Sequence, residues 1–186
     1  MNSLAHQHAQ RIYQSASPVL KIQGIGGKRW KRNVAKGGRI GPWLQAKYSV
    51  LDSKVWEQRT PCLYLVGGAD EKIRYVGISR NRMKDRWRVS PAYDAETMVR
   101  LSENQLFHSQ CWKQIEVETN ANPVATFEVR CINATTLLPL LIKLGPPLSA
   151  FVALGNDDEG IVAGVERWLC NNKSDGLVSW NIAMTK

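Results

Sequence analysis

Residues 61–88, PCLYLVGGADEKIRYVGISRNRMKDRWR, constrain the fold more than any other stretch, because they dictate a β-hairpin running straight into a basic helix. Leu63 and Leu65 alternate with Tyr64 and Val66, the period of a half-buried strand. Gly67-Gly68-Ala69-Asp70 then supplies turn residues before a second strand over 73–76. Gly77 ends that strand. Tyr64 and Tyr75 stand eleven residues apart, one per strand, with an arginine-bearing helix immediately downstream.

The charge distribution says what such a unit works on. The net charge is +9, and the first acidic residue is Asp52. Nine basic residues precede it: Arg11, Lys21, Lys28, Arg29, Lys31, Arg32, Lys36, Arg39 and Lys47. The remaining 16 basic residues balance the 16 acidic ones. Segregated positive charge is the footprint of a polyanionic partner, most often nucleic acid. Within this segment, KIQGIGGKRWKRNVAKGGRIGPW mixes glycines that let backbone approach a phosphate with cations that neutralise it. Lys28, Arg29, Lys31, Arg32, Lys36 and Arg39 are the candidate DNA-binding residues, and Trp30 or Trp43 would stack on a base or pack on the domain. A solvated basic extension and an arginine-rich targeting segment are the competing readings.

Other classes are excluded or disfavoured. No apolar run reaches the roughly 18 to 20 residues that span a bilayer, so a soluble protein with no membrane partner is expected. Cys62, Cys111, Cys131 and Cys170 form no CxxC pair, and His6, His8 and His108 form no HExxH set. Structural zinc and a disulfide framework are therefore not expected, and a reducing cytoplasm is the natural setting.

The remaining elements follow from periodicity. Residues 3–14 read as a short amphipathic helix, and 44–57 as helix or short strand. The alternation in 111–119 and 125–133 predicts a second hairpin around a turn at 120–123. Residues 135–144 form an apolar helix stopped by Gly145-Pro146-Pro147, and 149–154 a short strand or buried link. A last helix spans about 159–171, entered through Asn156, Asp157 and Asp158, which cap it and favour its dipole. Ile161, Val162, Val165, Trp168 and Leu169 make its apolar stripe, and Glu166 falls at the edge of that stripe, where an acid faces a site while half-buried. Residues 177–183 read as a closing segment.

Taken together, these residues resemble the GIY-YIG nuclease family. Cys62-Leu63-Tyr64 is similar to the family's first tripeptide, of which only the tyrosine is kept, and Tyr75-Val76-Gly77 to its second. Ser79 and Asn81 resemble the small polar pair that follows, and Lys84-Asp85-Arg86-Trp87 the stretch with the catalytic arginine. Glu166 and Asn181, fifteen residues apart, resemble the metal-binding glutamate and terminal asparagine. One additional residue between Asn81 and Arg86 leaves Arg82 as a rival for the arginine role; Arg86 is preferred because it lies between Met83 and Trp87 on the helix wheel.

The resemblance implies an α/β (α+β) fold, a small mixed or antiparallel sheet flanked by helices. It divides the chain into a basic N-terminal extension at 1–58 and a nuclease core at 59–186 with an insertion at about 91–155. It implies a metal-dependent endonuclease acting on double-stranded DNA, with Mg²⁺ or Mn²⁺ held by Glu166. Tyr64 would take the water's proton once nearby cations and the bound metal lower its pKa, with Tyr75 supporting it. Arg86 would neutralise the phosphate, and Asn181 would orient Glu166 or tie the closing segment to the core. The compact chain is most similar to the family's restriction endonucleases, for which a homodimer would cut both strands. A structure-specific repair nuclease and a non-catalytic nucleic-acid-binding module are the alternatives.

Overall fold

A computed structural model describes residues 3–31, 40–87, 111–172 and 177–181. Five strands, β1 (Ser17–Lys31), β2 (Ile40–Val50), β3 (Cys62–Gly68), β4 (Ile73–Ser79) and β5 (Phe127–Asn133), form one antiparallel sheet in the order β2-β1-β5-β3-β4. The helices are α1 (Leu4–Ser15), α2 (Ser53–Glu57), α3 (Met83–Arg86), α4 (Cys111–Ala121), α5 (Ala134–Leu144) and α6 (Asp158–Asn171), with a 3₁₀ helix at Leu148–Leu154. The α+β class expected from the sequence is therefore present, with a purely antiparallel sheet. No helix among the described residues is long and apolar enough to cross a membrane.

Apolar residues of the sheet serve two cores. On one face Leu63, Leu65, Val76 and Ile132 pack against α1, α5 and α6 through Ile12, Leu137, Leu141, Ile161 and Val165. On the other, Leu20, Ile22, Tyr64, Val66 and Val129 meet Trp56 of α2, Met83 of α3, Trp87, and Cys111 and Ile115 of α4. β3 is thus buried on both faces rather than half-buried. Its tyrosine and valine lie under helices as fully as its leucines do.

At four stretches the structure corrects or decides the sequence reading. Residues 111–119 form α4, not a strand, so they make no hairpin with 125–133: among the described side chains Cys111, Ile115 and Thr119, four residues apart, are the buried positions, while Val117 is exposed. β5 instead enters the sheet between β1 and β3. The 149–154 stretch is 3₁₀ helix, and 44–57 contains both a strand end and the short helix α2. The N-terminal segment read as an extension supplies α1 to the core and β1 to the interior of the sheet.

The helix starts obey local chemistry. Asn133 accepts from the Thr136 N–H at the start of α5, and Asp157 from the Gly160 N–H at the start of α6. The outer edge of β4 is closed by residues 177–181: the Val178 and Trp180 N–H groups donate to the carbonyls of Ile73 and Arg74, each at 2.8 Å.

Candidate active site

Pairing of β3 with β4 sets Tyr64 opposite Gly77 and Val66 opposite Tyr75, which places both tyrosines on the same face of the sheet. Their rings lie 5.9 Å apart in a stacked arrangement, and Trp87 meets the Tyr64 ring edge-on at 5.8 Å. Gly77 makes this possible, since a Cβ there would stand 2.6 Å from the Tyr64 Oη.

The chain turns out of β4 where the Ser79 hydroxyl donates to the Asn81 carbonyl at 2.8 Å. α3 follows, fixed to α2 by Lys84 and Arg82, both paired with Glu57. Arg82 also gives both ends of its fork to Asp85, at 2.8 and 2.9 Å. Arg86 points the other way, and its Nε donates to the Tyr64 Oη at 3.0 Å. Of the two rival arginines, Arg86 therefore meets the tyrosines while Arg82 is spent on surface carboxylates.

α6 brings Glu166 to this group. Ile161, Val162, Val165 and Leu169 are buried against the sheet, and Glu166 sits half-buried beside them. Desolvation lifts its carboxyl above the ordinary value, while the positive charges of Arg86, Arg80 and Arg167 pull against that rise. Among the described residues, no hydrogen bond or ion pair satisfies this carboxylate. Sequence reasoning misses Arg80 and Arg167, although each adjoins a marked residue, Ser79 and Glu166. Arg80 also pairs with Glu159 at the start of α6.

The phenols are held protonated. Burial drives Tyr64 well above the ordinary tyrosine value, and the neighbouring Tyr75 adds to the rise; Arg86 opposes it without cancelling it. Tyr75 is pushed up to about 12, chiefly by burial, with Cys111 and Glu166 adding to the rise. Arg86 alone therefore does not supply the lowering of the Tyr64 pKa that the sequence reading assigns to nearby cations and a bound metal together. Desolvation of a phenolate with no exposed surface outweighs one guanidinium.

The Asn181 side chain is bound to the edge of β4: its Oδ1 accepts from the Val76 N–H at 3.0 Å and its Nδ2 donates to the Val76 carbonyl at 2.7 Å. It replaces a strand partner there. Lys28, Arg29 and Lys31 lie on β1, while Arg32, Lys36 and Arg39 fall outside the described residues.

A divalent ion finds a limited but suitable donor set. Among the described residues no three His, Cys, Asp or Glu side chains converge, so an ion would rest on Glu166 alone. A half-buried carboxylate with no hydrogen-bonding partner among the described residues fits a hard cation that takes its other ligands from water and phosphate. No family model, no curated protein and no solved structure matches the chain.

Proposed function

We propose that this chain is a metal-dependent endonuclease of the GIY-YIG type that hydrolyses phosphodiester bonds in double-stranded DNA. One observation carries the reading: Arg86 is hydrogen-bonded to Tyr64, beside Tyr75, within the electrostatic reach of the half-buried Glu166. Four residues from β3, β4, α3 and α6 meet at one place, although some 80 residues separate Arg86 from Glu166 in sequence. Arg86 gives its Nε to a phenol, whereas Arg82 gives its fork to the Asp85 carboxylate.

Hydrolysis requires a positioned water, neutralisation of the non-bridging oxygens and help for the departing oxygen. Mg²⁺ or Mn²⁺ bound at Glu166 would polarise the phosphate and acidify its own water. Arg86, its orientation fixed by the phenol it donates to, places permanent positive charge where the phosphate gains negative charge. Tyr64 begins as a neutral phenol that seats Arg86. It accepts water's proton only as a phenolate, after its own proton has passed to solvent, and that ionisation requires the cationic charge beside it to exceed the cost of burying a phenolate. Tyr75, less buried than Tyr64, offers its hydroxyl to the phosphate or water. Asn181 keeps the edge of β4, and hence Tyr75, in place.

Within this activity we favour a restriction endonuclease that cuts a short duplex sequence in the cytoplasm, two copies serving the two strands. The test is incubation of plasmid DNA with Mg²⁺ and the wild-type protein, Glu166→Ala or Tyr64→Phe. Discrete fragments from the wild type and none from Glu166→Ala are expected. Cleavage confined to flaps or junctions would move the activity to structure-specific repair, and binding without turnover would reduce the chain to a nucleic-acid-binding module.

A further inference from the structure

We propose that the distal half of the β1–β2 hairpin is a two-stranded ribbon that lies in the major groove of duplex DNA, gripping the substrate away from the tyrosine and arginine site. The proposal deepens the reading of the chain as a DNA enzyme and rests on it.

β1 pairs with β5 only over Ser17–Ile22, the first six of its 15 residues. Its pairing with β5 ends at Ile22 opposite Phe127, whereas its pairing with β2 continues to Lys31 opposite Ile40. Gly24, at a φ of 138° that favours glycine, marks the point of departure. From Gly24 to Lys31 the ribbon extends about 25 Å at a rise of roughly 3.3 Å per residue. Register shifts follow Ile22, Ile25 and Arg29. Each such irregularity bends the ribbon and adds right-handed twist, so it curves instead of standing as a flat edge.

Its charge has no outlet within the ribbon. From Gly24 onward β1 and the facing part of β2 carry Lys28, Arg29, Lys31 and Lys47 and no acidic residue, whereas Lys21, before the ribbon, stands opposite Glu128 of β5. In the register, Lys28 is opposite Leu44, Arg29 opposite Trp43 and Lys31 opposite Ile40, so no basic position is matched with an acidic one on the partner strand. A polyanion outside the ribbon would supply the balance. Two strands about 4.8 Å apart fit a B-form major groove about 12 Å wide, which admits a two-stranded ribbon. The deep, narrow major groove of A-form RNA does not, so the ribbon selects duplex DNA.

The experiment measures binding of the full wild-type chain to a mixed-sequence DNA duplex, by fluorescence anisotropy with a chelator present and over a range of salt. Replacing Lys28, Arg29 and Lys31 by alanine is expected to lower the slope of log K against log salt by about 2.7, roughly 0.9 for each phosphate no longer neutralised. The swap Lys28→Arg, Arg29→Lys and Lys31→Arg is expected to keep the slope. A duplex whose major groove is filled by glucosylated 5-hydroxymethylcytosine is expected to bind the wild type at least about tenfold more weakly, the worth of one good base pairing by a side chain. Unchanged affinity and slope in the alanine variant would overturn the proposal, as would equal binding of the filled and open duplexes or of double-stranded RNA. The filled duplex tests the unmutated ribbon, so the answer survives a variant that fails to fold. Cleavage enters neither measurement: ribbon-dependent binding without cleavage would sink the nuclease reading alone, and cleavage with ribbon-independent binding would sink the ribbon alone.

Discussion

Tyr64 and Gly77 face each other across β3 and β4, and the Tyr64 phenol fills the space where a side chain on residue 77 would begin. A Cβ there would stand 2.6 Å from the Tyr64 Oη and 2.7 Å from Tyr75 Cε1. The fully buried Tyr64 ring has little room to retreat. Tyr64 is held by Trp87 on its edge, Tyr75 against its face and Arg86 on its hydroxyl.

Gly77→Ala is therefore expected to displace the phenol and carry Arg86 with it. Overpacking of this kind costs about 1–3 kcal/mol. The variant should unfold at a lower temperature and lose nearly all cleavage while still binding DNA. Wild-type cleavage by Gly77→Ala would show that the Tyr64 position does not matter to the reaction.

Arg86 and Arg82 make a second, sharper comparison. Arg86→Lys keeps a charge but loses the fork that donates to Tyr64, so cleavage should fall by about 10²-fold, the usual effect of removing one preorganised charge-stabilising group. Arg82→Ala breaks only ion pairs to Asp85 and Glu57 and should cleave close to the wild-type rate. Single-turnover rates on saturating DNA separate the two, and a larger loss from Arg82→Ala than from Arg86→Lys would reverse their roles.

How far the sequence carries these features depends on the kind of signal each leaves. The hairpin and α6 announce themselves through glycine-rich turn residues, an Asp157 cap and an apolar stripe, all local properties. α4 reads as a strand because Ile115, Val117 and Thr119 alternate like one, and only burial reveals the four-residue spacing of Cys111, Ile115 and Thr119. β1 is hidden because its glycines and cations suit a loop; it is a strand because β5 and β2 pair with it. The tyrosines, Arg86 and Glu166 are legible as residue types in order, but the register that puts Gly77 beneath Tyr64 is a tertiary fact. So is the direction of the Tyr64 pKa, which depends on how completely helices cover the sheet.

Glu166 ties function to stability with a definite sign. Its folded pKa lies above the ordinary carboxylate value, so the fold favours the protonated form. That contribution is fully present below about pH 4.3 and is lost as pH rises through the folded value. Glu166→Gln should therefore melt higher than the wild type at pH 8 and nearly level with it at pH 4. Adding Mg²⁺ at pH 8 should raise the melting temperature of the wild type and leave Glu166→Gln unmoved, because only the carboxylate binds the ion. Equal shifts in both proteins would remove Glu166 as the metal residue.

The phenols set the alkaline limit. Tyr75 and Tyr13 are both pushed up to about 12, and burial is the largest cause for each. A raised tyrosine pKa means that the folded state holds its proton more tightly than the unfolded chain. The resulting stability is intact below about pH 10 and drains away between there and the folded value. Tyr75 alone would account for up to about 3 kcal/mol of that loss by pH 12. Tyr75→Phe, which keeps the ring stacked on Tyr64 but has nothing to ionise, should shift the alkaline unfolding midpoint to higher pH, followed by circular dichroism together with phenolate absorbance. A midpoint identical to that of the wild type would mean that Tyr75 ionises as freely as an exposed tyrosine. Its seat beside Tyr64 and Arg86 would then be open to solvent in the working protein.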